Sequence, residues 1–184
     1  MRAGRIGHLP PPRDSVLMAL ELKPITKEGV PTALEKAQRY RLLNEPVAAE
    51  SICLDVLTVD PDNQQAVVAL VLSITDQFDD EMSAGVRRAR EVLSRVRDEY
   101  KRNYYGGIVC ERYAVALLRH GALRAAESAY GWFRDAMELY EKAEAIRSPG
   151  NDESILRWNT CARILARDPT IAPAPAEKYE PSFD

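Results

Sequence analysis

A chain of 184 residues, 46% of them apolar, is long enough to bury a core without metal or disulfide support. Its formal net charge of −3 gives no global attraction to nucleic acid or anionic lipid. The three cysteines Cys53, Cys110 and Cys161 are odd in number and widely spaced, which argues against a disulfide framework or a zinc site and fits a reducing cytoplasm.

Residues 1–29 read as a proline-rich leader, in which Pro10, Pro11, Pro12 and Pro24 oppose regular helix. Its longest apolar run, Val16 to Leu20, is too short for a signal sequence or a membrane span, and no targeting segment is read. Residues 15–23 have the composition for one or two helical turns against a docking surface.

Val30 to Asn63 then carries two helical patterns. Apolar residues recur at Ala33, Leu34, Ala37, Tyr40 and Leu43, and again at Ala48, Ala49, Ile52, Cys53, Val56 and Leu57. Asn44, Glu45 and Pro46 separate them, because proline suits the first turn of a helix and not its interior. Asp60, Pro61, Asp62 and Asn63 close the second helix, and Asn63 is a natural cap for a third. That third helix, Gln64 to Phe78, is apolar on nearly every side and should be covered on both flanks.

A longer connection, Asp79 to Gly85, leads to a pattern at Val86, Ala89, Val92, Leu93 and Val96. It is expected to continue to about Tyr104 and to stop at Gly106 and Gly107 in the usual manner of a helix C-terminus. Ile108 to His120 is the next helix, with Gly121 at its turn. A long segment from Ala126 through Tyr130, Phe133, Met137 and Tyr140 to Ala143 follows, read as one helix because a lone Gly131 costs only about 1 kcal/mol. Ser148 to Asn151 stop it. Asp152 to about Ala166 is the last helix, with Ile155, Trp158, Ala162 and Leu165 on one stripe. Residues 168–184 form a proline-rich tail expected to be extended and mobile.

The stretch from Val30 to Asn63 resembles a tetratricopeptide (TPR) repeat. With Pro61 as the closing proline, Ala37 and Ala49 take the small positions where the two helices touch, and Tyr40 the aromatic position. Cys53 and Val56 take the remaining packing positions of the second helix. Ala33 departs from the pattern, which usually has a large residue there. At the family period of about 34 residues, Val67, Leu70, Val71 and Ile74 fall on the packing positions of a second repeat, and Cys110, Tyr113, Ala114 and Leu117 fit a third. The resemblance implies an all-α, TPR-like right-handed α-solenoid over residues 30–167, about three helix pairs plus a terminal capping helix.

It also implies a concave partner-binding row from the first helix of each pair: Leu34, Gln38 and Arg41; Val68, Leu72 and Thr75; Glu111, Val115 and Leu118. That row is largely apolar and suits an apolar or amphipathic segment. It lacks the carboxylate clamp of chaperone-binding relatives, because Leu34, Gln38 and Ala69 stand where a cation or Asn is needed. The chain's own leader or tail, or a second copy, is an alternative occupant, which leaves homo-oligomerisation open.

Chemistry-bearing patterns are sparse. No glycine-rich phosphate loop, GxSxG, HExxH or CxxC is present, and the only histidines are His8 and His120, so no catalytic, cofactor or metal residue is assigned. Arg87, Arg88, Arg90, Arg95, Arg97, Lys101 and Arg102, interleaved with Glu91, Asp98 and Glu99, read as a solvated helix face, with an acidic partner as the alternative. The later aromatics, Tyr100 to Tyr140, should mostly pack between helices, with one member of Tyr104/Tyr105 and of Trp132/Phe133 facing outward.

The function expected is therefore that of a non-catalytic adaptor or scaffold whose groove holds another protein's peptide or helix, with no nucleic acid and no membrane span. The alternative is a dedicated accessory or assembly subunit of a larger enzyme complex. The chain also resembles small TPR proteins encoded beside bacterial hydrogenase genes, a likeness of general character that rests on no particular motif.

Overall fold

A computed structural model describes residues 21–80, 82–121 and 123–173. The described residues form seven α-helices and no strand: α1 (Val30–Leu42), α2 (Pro46–Val59), α3 (Gln64–Thr75), α4 (Met82–Leu93), α5 (Glu99–His120), α6 (Ala125–Ala145) and α7 (Glu153–Arg167). Each helix packs on the next in the chain, and α3 also touches both α1 and α5.

The boundaries follow local chemistry in the first half. Pro31 and Pro46 sit in the first turns of α1 and α2, where a missing N–H costs nothing. Asn44 between them adopts a left-handed backbone, φ 60°, which Asn tolerates better than most residues. The Asn63 side chain accepts the Ala66 N–H at 2.9 Å and so caps α3. Eight residues of α3 are buried, in keeping with its apolar sequence and its place between α2 and α4.

Ala37 and Ala49 have no exposed surface. Replacing either with Trp is expected to destabilise the chain by about 1–3 kcal/mol or more, because the α1–α2 contact has no room for an indole. A thermal melt unchanged from the parent would contradict this packing.

The middle of the chain departs from the sequence expectation. α4 ends at Leu93, and α5 starts at Glu99 and runs through Gly106 and Gly107 to His120. The signal that sets the true boundary is Asp98, whose side chain accepts the Lys101 N–H at 2.8 Å as the cap of α5. Val96, buried in the link, holds the intervening turn down. The two glycines lie where α5 meets α6. An added Cβ on Gly106 would touch Leu93 and Leu139 at 3.4 Å, and one on Gly107 would lie inside the Tyr140 ring contact. Helix ending is done instead by Gly121, in the left-handed region with φ 61°.

α5 thereby divides two cores. Val109 and Ala116 join the residues of α1 to α4 on one side, while Ile108, Cys110 and Ala114 join Phe133, Met137, Tyr140 and Cys161 on the other. α6 is one helix through Gly131, as its sequence suggests. At the start of the described chain Ile25 packs against the first core, and beyond α7 Ile171 is buried in the second. The packed part therefore extends a few residues past both expected limits, because each flank carries one apolar anchor. Of residues 15–23, expected to offer one or two helical turns, Glu21, Leu22 and Lys23 are not helical, and residues 15–20 lie outside the described residues, as does the tail from residue 174 with Tyr179 and Phe183.

Candidate functional site

The face shared by α1, α3 and α5 holds three adjoining cavities that meet at Arg41. One, of about 330 Å³, is lined by Arg41, Asn44, Thr75, Asp76, Arg112 and Arg119 among others. A second, of about 240 Å³, is bounded by Gln38, Arg41, Gln64, Val68, Leu72, Lys101 and Tyr105. The third, of about 440 Å³, opens between Gln38, Arg41, Leu42, Asp76 and Arg112.

Of the nine residues expected to line a groove, six come together here: Gln38, Arg41, Val68, Leu72, Thr75 and Val115. The other three do not line these cavities. Leu34 is only 7% exposed and belongs to the first core. Glu111 is 6% exposed and turned towards α6 and α7, where it accepts a hydrogen bond from the Tyr140 hydroxyl at 2.6 Å and pairs with Arg157 at 3.0 Å. Leu118 packs against the second core.

The cause is the phase of α5. Its groove stripe is Lys101, Tyr105, Arg112, Val115, Ala116 and Arg119, whereas the expected stripe began at Glu111, about 100° round the helix from Arg112 at 3.6 residues per turn. Gly107 packs against Tyr140 of α6, and Glu111, one turn further at i+4, lies on that same face of α5.

The site is more charged than the expected row. Asp76, at the end of α3, accepts the Arg41 Nε–H at 2.7 Å and is also bonded by Arg112 Nη1, so one carboxylate serves two guanidiniums from different helices. Arg112 Nη1 also donates to the Thr75 hydroxyl at 2.6 Å and to the Leu72 carbonyl at 3.3 Å. The Thr75 hydroxyl in turn donates to the Leu72 carbonyl. Burial pulls the Arg112 pKa below the usual guanidinium value, with Asp76 opposing that shift. At the rim Arg119 pairs with Asp79 at 2.8 Å. Leu42, 88% exposed, stands at the mouth of the third cavity as an uncovered apolar contact.

Other clusters have local roles. Arg95 donates to the Pro61 carbonyl at 2.7 Å, Arg97 pairs with Asp62 at 2.8 Å, and the Arg97 N–H donates to the Gln64 side chain. The basic run thus ties the α4–α5 link to the α2–α3 turn, and Arg88 pairs with Glu50 on α2. Arg90 lies 4.6 Å over the Trp132 ring, which meets Tyr113 edge-on. Phe133 is buried, whereas Trp132, Tyr104 and Tyr105 are all half-buried, and Tyr105 faces the second cavity. All three cysteines are free and buried. Burial pushes the Cys53 thiol up to about 11, that of Cys161 up to about 12, and that of Cys110 upward, which makes them packing residues rather than nucleophiles.

Among the described residues no group of His, Cys, Asp and Glu is placed to hold a metal ion, and no helix is long and apolar enough to cross a membrane. No protein-family model matches the chain, and no curated protein sequence matches it at a significant level.

Proposed function

We propose that this chain is a non-catalytic protein-interaction module, a TPR-like right-handed α-solenoid whose α1–α3–α5 face receives an extended or helical segment of another protein. The observation that carries this reading is the set of adjoining cavities along that face, built from alternate helices and left without cover by any described element. Alternate helices lining one face, with α3 touching both α1 and α5, is the arrangement that stacked helix pairs produce. The apolar part of the surface, Val68, Leu72 and exposed Leu42, offers area to bury, and the side-chain amides of Gln38 and Gln64 offer hydrogen bonds to a backbone.

Photo-cross-linking tests the reading. A benzophenone amino acid at Gln38, which is exposed beside the cavities, is expected to give a discrete protein adduct in cells. The same group at Thr160, exposed on α7, should not. Leu42→Asp, at a position 88% exposed, should abolish the adduct while shifting folding stability by no more than about 1 kcal/mol. Leu70→Asp, at a position 2% exposed, should unfold the chain first. An adduct at Thr160 and none at Gln38 would move the interaction surface to the other side of the molecule.

A further inference from the structure

The cavity-lined face carries a charge pattern that names the chemistry of its occupant. Four cations border the three cavities, Arg41, Lys101, Arg112 and Arg119, against two carboxylates, Asp76 and Asp79. The face therefore holds two positive charges in excess on a chain whose net charge is −3. Pairing does not use up this excess. Arg119 and Asp79 satisfy each other at the rim, which leaves Asp76 alone to balance both Arg41 and Arg112. The Lys101 ammonium has no ion pair among the described residues.

Donor capacity points the same way. A guanidinium presents five N–H donors in a planar fork. Arg41 spends only Nε on Asp76, and Arg112 spends only Nη1, on Thr75, Asp76 and the Leu72 carbonyl. The remaining nitrogens of both side chains have no hydrogen-bond partner among the described residues. Asp76 holds the two forks in place, with the Arg41 and Arg112 side chains 19% and 27% exposed. Partial burial of this kind strengthens a charge-assisted hydrogen bond and limits the entropy lost on binding.

We infer that the segment received by this face is an acidic peptide, one carboxylate of which sits in the fork formed by Arg41 and Arg112, while a second lies towards Lys101 and an apolar side chain between them covers Val68 and Leu72. This rests on the interaction reading above and adds the sign of the partner's charge to it. These cations are not those of the chaperone-type carboxylate clamp, since Leu34, Gln38 and Ala69 contribute none of them.

The test uses the full chain and three fluorescein-labelled peptides of equal length, with Leu at shared positions and Glu, Gln or Lys at the others. Fluorescence anisotropy should show the Glu peptide binding at least about tenfold more tightly than the Gln peptide, with no measurable binding of the Lys peptide, and the difference should shrink as salt is raised. Amidating the C-terminus should change the affinity of the Glu peptide by less than about threefold if side-chain carboxylates fill the fork, and by more if the terminal carboxylate does. R41Q and R112Q should each lower affinity for the Glu peptide and leave that for the Gln peptide in place. K101Q changes an exposed side chain and keeps the test valid should R112Q misfold.

Equal binding of Glu and Gln peptides, or binding of the Glu peptide that survives R41Q, R112Q and K101Q, overturns the inference. So does self-association of the chain that R41Q abolishes, which would place a second copy on this face. If no peptide binds, the inference falls, while the wider reading is decided separately by the adducts at Gln38 and Thr160.

Discussion

Gly107→Val is expected to cost about 3 kcal/mol or more. A Cβ at Gly107 would lie 2.6 Å from Cδ1 and 2.8 Å from Cζ of Tyr140, well inside the distance that real carbon contacts reach. Tyr140 has no exposed surface, and its hydroxyl is fixed on Glu111, so the ring has nowhere to retreat. α5 and α6 would have to separate along their length. The control is Gly131→Ala. Gly131 lies inside α6 with nothing within 4 Å of its Cβ direction, so alanine there only removes backbone entropy from the unfolded chain and should stabilise by roughly 0.5–1 kcal/mol. Denaturant or thermal melts of the two variants should therefore move in opposite directions. Pairing Gly107→Val with Tyr140→Leu should cost less than the sum of the two alone, because the second change makes room for the first. A Gly107→Val melt equal to that of the parent would mean that α5 and α6 do not cross at this point.

The same glycine pair shows where a single sequence stops being informative. Val30 to Asn63 was legible because each device there is local: proline in a first turn, Asn63 as a cap, alanine at spacings that fall on one helix face. Gly106 and Gly107 have two uses that look identical in sequence, ending a helix or letting two helices approach. Only the presence of Tyr140, some thirty residues further on, decides between them. Asp98 was a usable signal, an N-cap residue followed by a helix-compatible run, but it sat within a stretch whose apolar spacing continued across it.

The expected row on α5 follows the repeat resemblance, which puts Glu111 on the concave face and leaves out Arg112; the structure turns Glu111 towards Tyr140 and Arg157 and lines the cavities with Arg112. In α1 and α3, Gln38, Arg41, Val68, Leu72 and Thr75 line the cavities, while Leu34 turns inward and α3 ends at Thr75, short of the expected Phe78. The fork of Arg41 and Arg112 on Asp76 joins residues about 35 positions apart in each direction, on three helices. No spacing rule within one helix reveals such a site. It emerges only when α1, α3 and α5 are stacked.

Glu111→Ala is expected to loosen α7 and lower the melting temperature by roughly 6–12 °C, while leaving the cavity-lined face able to bind. Glu111 is the buried anchor between three helices: its carboxylate takes the Tyr140 hydroxyl of α6 on one oxygen and Arg157 of α7 on the other. Burial, and after it the charge of Glu111, drives the Tyr140 pKa upward, so the phenol stays a donor throughout the pH range in which the protein is handled. Alanine would strand that hydroxyl and the Arg157 guanidinium together. Breaking a buried charge pair costs about 3–5 kcal/mol, and the lower end applies because the Arg157 side chain is 35% exposed and partly solvated. Glu111→Gln keeps an acceptor for Tyr140 and should recover part of the loss. In a double-mutant cycle with Arg157→Leu the two changes should couple, since the second removes the charge that the first leaves unpaired. Hydrogen exchange should locate the effect, with amides of Glu153–Arg167 losing protection before those of α1 and α3. Because Glu111 and Arg112 point about 100° apart on α5, one holds the helix to the second core and the other faces the cavities. Affinity for the acidic peptide measured well below the melting temperature should thus change by less than about threefold, a shift smaller than 1 kcal/mol. Loss of that affinity in step with stability would show that the groove depends on α7 and that the two faces of α5 do not act separately.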